Sequence, residues 1–179
     1  MIEIRIAYHG LGMAGKTTNL EKLKEIYKDT VHDRMHQHTE EGRTVYIDYL
    51  AIKLKTKTNH SDVLISLFTT PGQKRFTFLR PWILGYSSSV VFVFDSSRSI
   101  EENLESFQDI KDFAQAKKVI VQANKRDFTN PVPLEEIQQT FNGLPVIPAS
   151  AAKAEGVIET FKEAIKLALS HERQGVRPC

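Results

Sequence analysis

The pattern of apolar and polar residues along the chain predicts alternating strands and helices. In residues 2–8 every second residue is apolar, which is the period of a β-strand. After a glycine-rich turn, apolar residues recur every three or four positions over residues 16–28, which is the period of an amphipathic helix. The same helical period returns over residues 100–116, 133–141 and 157–169, and a short helix is predicted around residues 75–83.

Further segments rich in β-branched and aromatic residues are predicted to be strands: 44–55, 63–69, 90–94, 119–123 and 146–147. The first two are separated by the polar residues 58–62, a spacing typical of an antiparallel hairpin. Residues 90–94 are apolar without interruption, as expected of a strand covered on both faces. Residues 30–42 lack any apolar period and are predicted to form a long surface loop, a kind of segment that is usually functional.

The order of these elements predicts an α/β fold. Strands and helices alternate, which favours a parallel sheet between two layers of helices. The hairpin adds an antiparallel strand, so we expect a six-stranded mixed sheet with five parallel strands and one antiparallel strand. Residues 1–170 are expected to form one domain, followed by a short flexible tail at residues 171–179.

Composition and charge exclude several classes of protein. The 179 residues are 41% hydrophobic and 26% charged, as in ordinary globular domains. A formal charge of +2, from 24 basic and 22 acidic residues, is too balanced for a dedicated nucleic-acid-binding protein. No apolar run approaches the roughly 20 residues of a membrane span, and Val176 stands where a prenylation signal needs cysteine. Cys179 is the single cysteine, so no disulfide can form within the chain and a reducing, cytoplasmic compartment is expected. Together with the charge balance, this predicts a protein that binds no nucleic acid and has no direct membrane anchor.

A glycine-rich phosphate loop follows the first strand. Residues 10–17 fit the pattern G-x-x-x-x-G-K-[ST], with a strand before and a helix after. Glycines let backbone N–H groups turn toward anionic oxygens, and the helix N-terminus adds its positive dipole end. Lys16 is predicted to reach the β- and γ-phosphates, and the Thr17 hydroxyl to bind Mg²⁺. The predicted phosphate-binding residues of this loop and the start of the helix are Gly10, Gly12, Met13, Ala14, Gly15, Lys16, Thr17 and Thr18. The alternative is a glycine-rich turn without a ligand, and the loop alone does not choose between ATP and GTP.

A second motif follows the strand at residues 119–123. Residues 124–127 read N-K-R-D and resemble the guanine signature N-K-x-D of the Ras-like small GTPase superfamily, which is a P-loop NTPase G-domain fold. The resemblance implies that Asp127 accepts two hydrogen bonds from guanine. It also implies that Asn124 contacts the base and ties this loop to the phosphate loop, and that the stem of Lys125 covers the base plane. The alternative is a set of solvated loop residues at the end of a strand.

A third motif follows the last strand. Ser150-Ala151 resembles the family's S-A-K loop, whose backbone N–H groups contact the guanine oxygen. Ala152 stands where the family often has lysine, which leaves such backbone contacts possible. The predicted guanine-binding residues are therefore Asn124, Lys125, Asp127, Ser150 and Ala151. For the last two the alternative is a plain helix-capping loop.

Residues 69–73 read T-T-P-G-Q and resemble the family's D-x-x-G-Q. Gly72 matches the residue whose N–H senses the γ-phosphate, and Gln73 matches the residue that orients the attacking water. Thr69 replaces the usual aspartate, which in most relatives holds Mg²⁺ through a water molecule. A hydroxyl is a neutral and weaker substitute, so this departure bears on how the metal is bound.

A narrower resemblance points to the MglA branch, bacterial GTPases of gliding and cell polarity. It is carried by G-K-T-T-N-L at residues 15–20, by Thr69 and by R-T before a strand. The resemblance implies that Arg43 acts as a built-in arginine finger and that Thr44 closes on Mg²⁺ and the γ-phosphate. Asp48 lies four residues beyond Thr44, roughly 13 Å along a strand, too far to reach the metal unless the strand shifts its register. No other carboxylate for Mg²⁺ is evident. The predicted catalytic residues are Gln73, Arg43 and Lys16, and the predicted metal ligands are Thr17 and Thr44.

The function expected from the resemblance is that of a molecular switch. Such an enzyme binds GTP or GDP with Mg²⁺ and hydrolyses GTP slowly, and the γ-phosphate orders switch segments near residues 35–48 and 69–83. Slow turnover implies a GTPase-activating protein, of roadblock fold by the MglA resemblance, and a downstream effector at the switch segments. The alternatives are a scaffold that binds GTP without hydrolysing it, because of Thr69, and a P-loop ATPase or kinase.

Overall fold

The computed structural model describes residues 2–35, 47–55, 62–72, 74–114 and 118–175. Within these ranges strands and helices alternate, as the apolar pattern predicts. The strands are β1 (Ile2–His9), β2 (Val31–Met35), β3 (Tyr49–Lys55), β4 (Asp62–Thr69), β5 (Ser89–Asp95), β6 (Val119–Asn124) and β7 (Val146–Pro148). The helices are α1 (Lys16–Ile26), α2 (Arg80–Tyr86), α3 (Ile100–Phe113), α4 (Leu134–Thr140) and α5 (Val157–Gly175).

A single mixed sheet carries the fold, with the strand order β2-β3-β4-β1-β5-β6-β7. Strands β4, β1, β5, β6 and β7 run parallel, and β3 runs antiparallel to β4. The six predicted strands of the mixed sheet, five parallel and one antiparallel, are therefore confirmed, and the sheet has a seventh strand, β2. The predicted hairpin is the β3–β4 pair, in which Tyr49 lies opposite Phe68 and Lys55 opposite Asp62.

A further edge strand, β2, corrects the prediction of a loop over residues 30–42. Val31–Met35 pairs antiparallel with β3, with a shift of register between Val31 and Asp33. The apolar pattern misses this strand because an edge strand is held by backbone hydrogen bonds to one neighbour and needs no continuous apolar face. Residues 36–42 of the predicted loop lie outside the described residues.

Two apolar clusters fill the spaces between the sheet and its helices. On one side α1 and α5 pack against the sheet, with Leu23 and Phe161 fully buried. On the other side Phe92, Phe107 and Phe141 form a cluster in which Phe107 lies 4.9 Å from each of the other two rings. Strand β5 is buried along its whole length, which confirms that it is covered on both faces.

The carboxyl ends of the parallel strands bring the motifs together. β1 leads into the glycine-rich loop, β4 ends at Thr69, β5 at Asp95 and β6 at Asn124. Open α/β sheets bind ligands at this edge, so the fold gathers the phosphate loop and the N-K-R-D segment on one side of the molecule.

Helix ends follow local sequence signals. Ser99 and Glu102 form a reciprocal capping box at the start of α3, and Pro133 precedes α4. α5 continues to Gly175, past the predicted end at residue 169 and into the segment expected to be a tail.

Among the helices of the described ranges, none combines the length and the apolar character needed to cross a bilayer.

Candidate functional site

The phosphate loop joins the end of β1 to the start of α1 and is held from the side by Asn124. Gly15 caps α1 with a φ of 104°, a left-handed conformation that side chains rarely adopt. A Cβ on Gly15 would lie 2.3 Å from Nδ2 of Asn124, which leaves no room for a larger residue without a shift. The same Nδ2 donates a hydrogen bond to the carbonyl of the buried Ala14, at 2.8 Å. The loop therefore has one backbone path, fixed by a residue of the second motif.

Lys16 is a buried cation at the centre of this loop. Its ammonium group donates hydrogen bonds to the carbonyls of Gly10, at 2.9 Å, and Leu11, at 2.6 Å, and the residue is 7% exposed. Burial, with a smaller contribution from the nearby guanidinium of Arg80, lowers the pKa of Lys16 to about 8. Phosphate oxygens would offset this loss of solvation, so the site is electrostatically incomplete without an anion.

A cavity of about 500 Å³ opens beside Lys16. Its walls come from the phosphate loop and from the end of β4: Gly12, Met13, Lys16, Thr17, Thr69, Thr70 and Gly72. Gly72 closes one side, since a Cβ on it would lie 2.8 Å from the Cα of Gly12. The volume is that of a small-molecule site, and its polar groups are an ammonium group, hydroxyls and backbone amides, which suit a phosphate ligand. Thr18 follows in α1 and is half-buried.

The N-K-R-D segment connects three loops. Beyond its bond to Ala14, Asn124 accepts a hydrogen bond through Oδ1 from the backbone N–H of Ala151, at 2.8 Å. Lys125 has a left-handed φ of 63°, and its ammonium group pairs with the buried Asp95 at 2.7 Å. The long stem of Lys125 is thereby fixed at the edge of the site.

The carboxylate of Asp127 is exposed and held by Ser150. The Ser150 hydroxyl donates to Oδ1 of Asp127 at 2.7 Å, while Ser150 itself is buried. This hydrogen bond lowers the pKa of Asp127 below its usual value, with a smaller contribution from the backbone. Asp127 therefore presents a charged acceptor at neutral pH, beside the loop that carries Ser150.

Asp48 corrects the statement that no carboxylate is available near the predicted metal ligand. Its Oδ2 accepts a hydrogen bond from the Thr17 hydroxyl at 2.5 Å and a longer one from the Thr69 hydroxyl at 3.3 Å. Asp48 lies beside Thr69 at the end of the β3–β4 pair, and its carboxylate meets Thr17 at the start of α1. Predicted residues Arg43, Thr44 and Gln73 lie outside the described residues, so the separation between Thr44 and Asp48 stays untested.

Arg80, at the start of α2, holds the segment that follows β4. Its Nε donates to the carbonyl of Pro71 at 3.0 Å, and its Nη2 to the carbonyl of Gly72 at 3.4 Å. Nη1 pairs with Asp109 of α3 at 2.7 Å. Gly72 is thus tied to a helix that lies far from it in sequence.

His9, the last residue of β1, is buried beneath the same segment. Its Nε2 lies 2.8 Å from the carbonyl of Ser106 and its Nδ1 lies 2.8 Å from the hydroxyl of Thr70. Because a carbonyl can only accept, Nε2 carries the proton and Nδ1 accepts from Thr70. Burial lowers the pKa of His9 to about 4, so the ring is neutral.

Sequence reasoning missed the parts played by Asp48, Arg80 and His9. The hairpin itself contains a signal for Asp48, because an antiparallel register that sets Tyr49 opposite Phe68 brings Asp48 beside Thr69. Arg80 and His9 have no comparable local signal, since each depends on a partner that the fold brings in from α3, Asp109 for Arg80 and Ser106 for His9.

Comparisons with known proteins agree with this geometry. The sequence profile of the Ras family matches residues 14–170. The chain is 32% identical to the mutual gliding-motility protein MglA of Myxococcus xanthus, over 97% of this chain and 94% of MglA. It is 30% identical to Rab-like protein 2A of Homo sapiens over 62% of this chain and 50% of that protein. The G domain of the T. maritima FeoB iron transporter has the same fold, with a TM-score of 0.66 and 23% identity over 93% of this chain and 99% of that one.

The profile match spans most of the chain, and the similarity to MglA extends along nearly all of it. On these grounds the chain belongs to the Ras family.

Proposed function

We propose that the chain is a small GTPase switch that binds GTP and GDP with Mg²⁺ and hydrolyses GTP slowly. The observation that carries the proposal is the pair of hydrogen bonds made by Asn124, to Ala14 of the phosphate loop and to Ala151 of the neighbouring loop. One side chain thereby keeps the predicted phosphate subsite and base subsite at a fixed separation. A nucleotide whose two ends are recognised separately needs such a preorganised spacing.

Selection of guanine is proposed to rest on Asp127. Its carboxylate accepts from the N1–H and the exocyclic amine of guanine, and the loop at Ser150 and Ala151 is proposed to lie against the guanine oxygen. Adenine lacks that pair of donors and would leave the carboxylate unpaired, a difference that can be worth on the order of 10⁴ in selectivity. The hydrogen bond from Ser150 supports this role, because it aims the carboxylate and keeps it ionised.

Hydrolysis is proposed to follow the phosphoryl-transfer chemistry of the fold. Lys16 holds the β- and γ-phosphates, Gln73 orients the attacking water, and Arg43 stabilises charge that develops on the γ-phosphoryl oxygens. Thr17 and Thr44 are the proposed hydroxyl ligands of Mg²⁺. When bound, Mg²⁺ withdraws charge from the phosphate oxygens. Gly72 is proposed to detect the γ-phosphate, and its position at the cavity beside Gly12 supports this role.

Partner proteins are proposed to bind near α2. Three aromatic side chains there are well exposed: Phe78 at 66%, Trp82 at 68% and Tyr86 at 63%. The rings of Trp82 and Tyr86 stack at 5.5 Å. Exposed aromatic clusters are typical of protein interfaces, which supports a GTPase-activating protein, of roadblock fold by resemblance to MglA, and an effector at this face. A cytoplasmic role in polarity or motility is the corresponding proposal for the cell.

Single-turnover hydrolysis of GTP by the purified chain tests the proposal, with ATP as the competing nucleotide. We expect slow turnover that requires Mg²⁺ and that excess ATP does not inhibit. Gln73→Ala is expected to slow hydrolysis at least about tenfold without weakening GTP binding, because an ordering residue for water acts on the chemical step. Gln108→Ala is the matched control, since Gln108 is exposed on α3 and its amide donates to the neighbouring Asp112.

The scaffold remains the second candidate, and Thr69 favours it because the neutral hydroxyl stands where a carboxylate is usual. Tight GTP binding with no turnover, and no effect of Gln73→Ala, would support the scaffold against the switch enzyme. Unchanged GTP affinity in Lys16→Ala would contradict both readings.

A further inference from the structure

We infer that Asn19 and Gln122 are positioning residues, a buried pair of amides that ties the first turns of α1 and α5 together behind the nucleotide site. The inference rests on the proposed function, because it concerns how the phosphate subsite and the base subsite keep their separation. Neither side chain lines the cavity beside Lys16, so both act through the backbone of other residues.

The two side chains bond to each other in both directions. Nδ2 of Asn19 donates to Oε1 of Gln122 at 2.8 Å, and Nε2 of Gln122 donates back to Oδ1 of Asn19 at 2.9 Å. The residues are 103 positions apart in sequence, and neither has any exposed surface. Both bonds are kept at one relative placement of the two amides, so the pair fixes the distance between α1 and β6.

The remaining amide proton on each side leads to the start of a helix. Nδ2 of Asn19 also donates to the carbonyl of Gly15 at 2.9 Å, and Nε2 of Gln122 donates to the hydroxyl of Thr160 at 3.1 Å. That hydroxyl donates in turn to the carbonyl of Gly156 at 2.7 Å. Since a carbonyl can only accept, Gly15 and Gly156 set the direction of every bond between them.

The two ends of this chain of hydrogen bonds are left-handed glycines beside the proposed subsites. Gly15 has a φ of 104° and ends the phosphate loop, whereas Gly156 has a φ of 71° and precedes α5. A Cβ on Gly156 would lie 2.3 Å from the carbonyl oxygen of Pro148, so this turn is as closely packed as the turn at Gly15. The loop that ends at Gly156 carries Ser150 and Ala151 of the proposed base subsite.

Gln122 complements Asn124, which lies two residues further along β6. Residues two apart on a strand point to the same face of the sheet. Asn124 joins Ala14 to Ala151 at the edge of the sheet, and Gln122 joins the same two regions one layer deeper. Two ties at different depths resist rotation of the loops as well as their separation, which a single tie does not.

Stability alone gives no reason for amides at this depth. Ile120, the preceding residue on this face of β6, belongs to the apolar cluster under α1 and α5. A buried amide costs free energy unless it is paired, whereas apolar side chains of similar shape in place of both partners are nearly neutral. A fully bonded pair in such a place therefore specifies geometry more than it adds stability.

The test removes both amides at once. Asn19→Leu combined with Gln122→Met keeps a similar volume, and the backbone N–H of residue 19 and the Thr160 hydroxyl still bond to Gly15 and Gly156. No buried donor is stranded, so the urea midpoint of the nucleotide-free chain should stay close to that of the parent. Release of a fluorescent GDP analogue in excess chelator is expected to become about tenfold faster, because the two subsites lose their fixed separation.

Phosphorus NMR of the GDP complex at saturating GDP supplies a readout that a merely structural role would not move. The resonance of the β-phosphate depends on the surrounding backbone amides, and it is expected to shift in the double variant. Ser89→Ala is the matched control, since the buried Ser89 donates to the carbonyl of Ala164 at 2.9 Å, about two turns beyond the start of α5. It should lower the urea midpoint while leaving the release rate and the resonance as in the parent.

Faster release together with a shifted resonance supports the inference. Release at the parent rate, or faster release with an unshifted resonance, overturns it, because the amides would then serve stability alone. Thr160→Val is the second variant if the double variant does not fold, since it removes only the hydroxyl that Gln122 reaches. Its release should be about threefold faster, and release at the parent rate overturns the inference.

Binding of GDP to the parent chain is measured before any variant. A parent chain that binds no GDP contradicts the proposed function, and the inference falls with it. A parent chain that binds GDP, with variants that release it at the same rate, contradicts the role of Asn19 and Gln122 alone.

Discussion

The affinity of the phosphate loop for nucleotide is expected to fall as pH rises through about 8, because burial has lowered the pKa of Lys16 to that value. Only the protonated amine attracts phosphate, and a bound phosphate keeps it protonated. From about pH 7.5 to about pH 9 the protonated fraction of a group with this pKa falls from roughly three quarters to roughly one tenth. The affinity should drop about eightfold over this interval, equivalent to ~1.3 kcal/mol.

The assay is an equilibrium titration with a fluorescent GDP analogue across this pH interval, where nucleotide phosphates are already ionised. Calorimetry in two buffers of different protonation enthalpy should show uptake of about half a proton per nucleotide near pH 8. Lys16→Arg is the control, because a guanidinium stays charged throughout, and its weaker binding should not vary with pH. A parent chain whose affinity is flat, or an arginine variant that falls in parallel, would refute the electrostatic account of Lys16.

Three further outcomes are expected. Asp127→Asn should weaken GTP binding and improve xanthosine triphosphate binding in a competition titration, because the amide presents one donor and one acceptor; equal GTP affinity in both chains would remove Asp127 from the base site. His9 is neutral when buried, with a pKa of about 4, whereas an unfolded histidine titrates near 6.5, so the unfolded chain binds the extra proton and stability falls as pH drops. Urea unfolding should show a loss of about 2 kcal/mol from this residue between about pH 7 and about pH 5, absent in His9→Gln. Gly15→Ala should lower the melting temperature and nucleotide affinity together, since its Cβ meets Asn124 at 2.3 Å; a variant with parent-like melting and binding would show that the loop path is not fixed there.

Local sequence was sufficient for the elements that carry the site. The glycine pattern and the helical period predicted a loop ending where α1 begins at Lys16. The uninterrupted apolar run of residues 90–94 predicted β5, which is buried on both faces. These signals depend on residues within a few positions of one another, so the sequence contains them directly. Strand β2 escaped prediction because an edge strand depends on its neighbour and not on an apolar face of its own.

In the candidate site too, some features follow from local motifs and others from contacts that only the fold creates. Its phosphate loop and its N-K-R-D segment are contiguous motifs, and the structure brings them into contact through Asn124. Thr69 could be recognised as a departure from the family pattern, but its consequence could not be judged from the motif. That consequence depends on which side chain the opposite strand places beside it.

The sequence by itself therefore determined the order of the strands and helices apart from β2, and the place of the phosphate loop between β1 and α1. Only the tertiary structure decided that Asp48 meets Thr17, that Arg80 ties Gly72 to Asp109, and that Lys16 is buried enough to lose much of its usual basicity. These contacts join residues that are 29 and 31 positions apart. Strand register and helix packing decide which of these distant side chains meet. Burial decides how far the pKa of Lys16 falls. Neither can be read from local sequence, because each arises only when separate segments of the chain pack together.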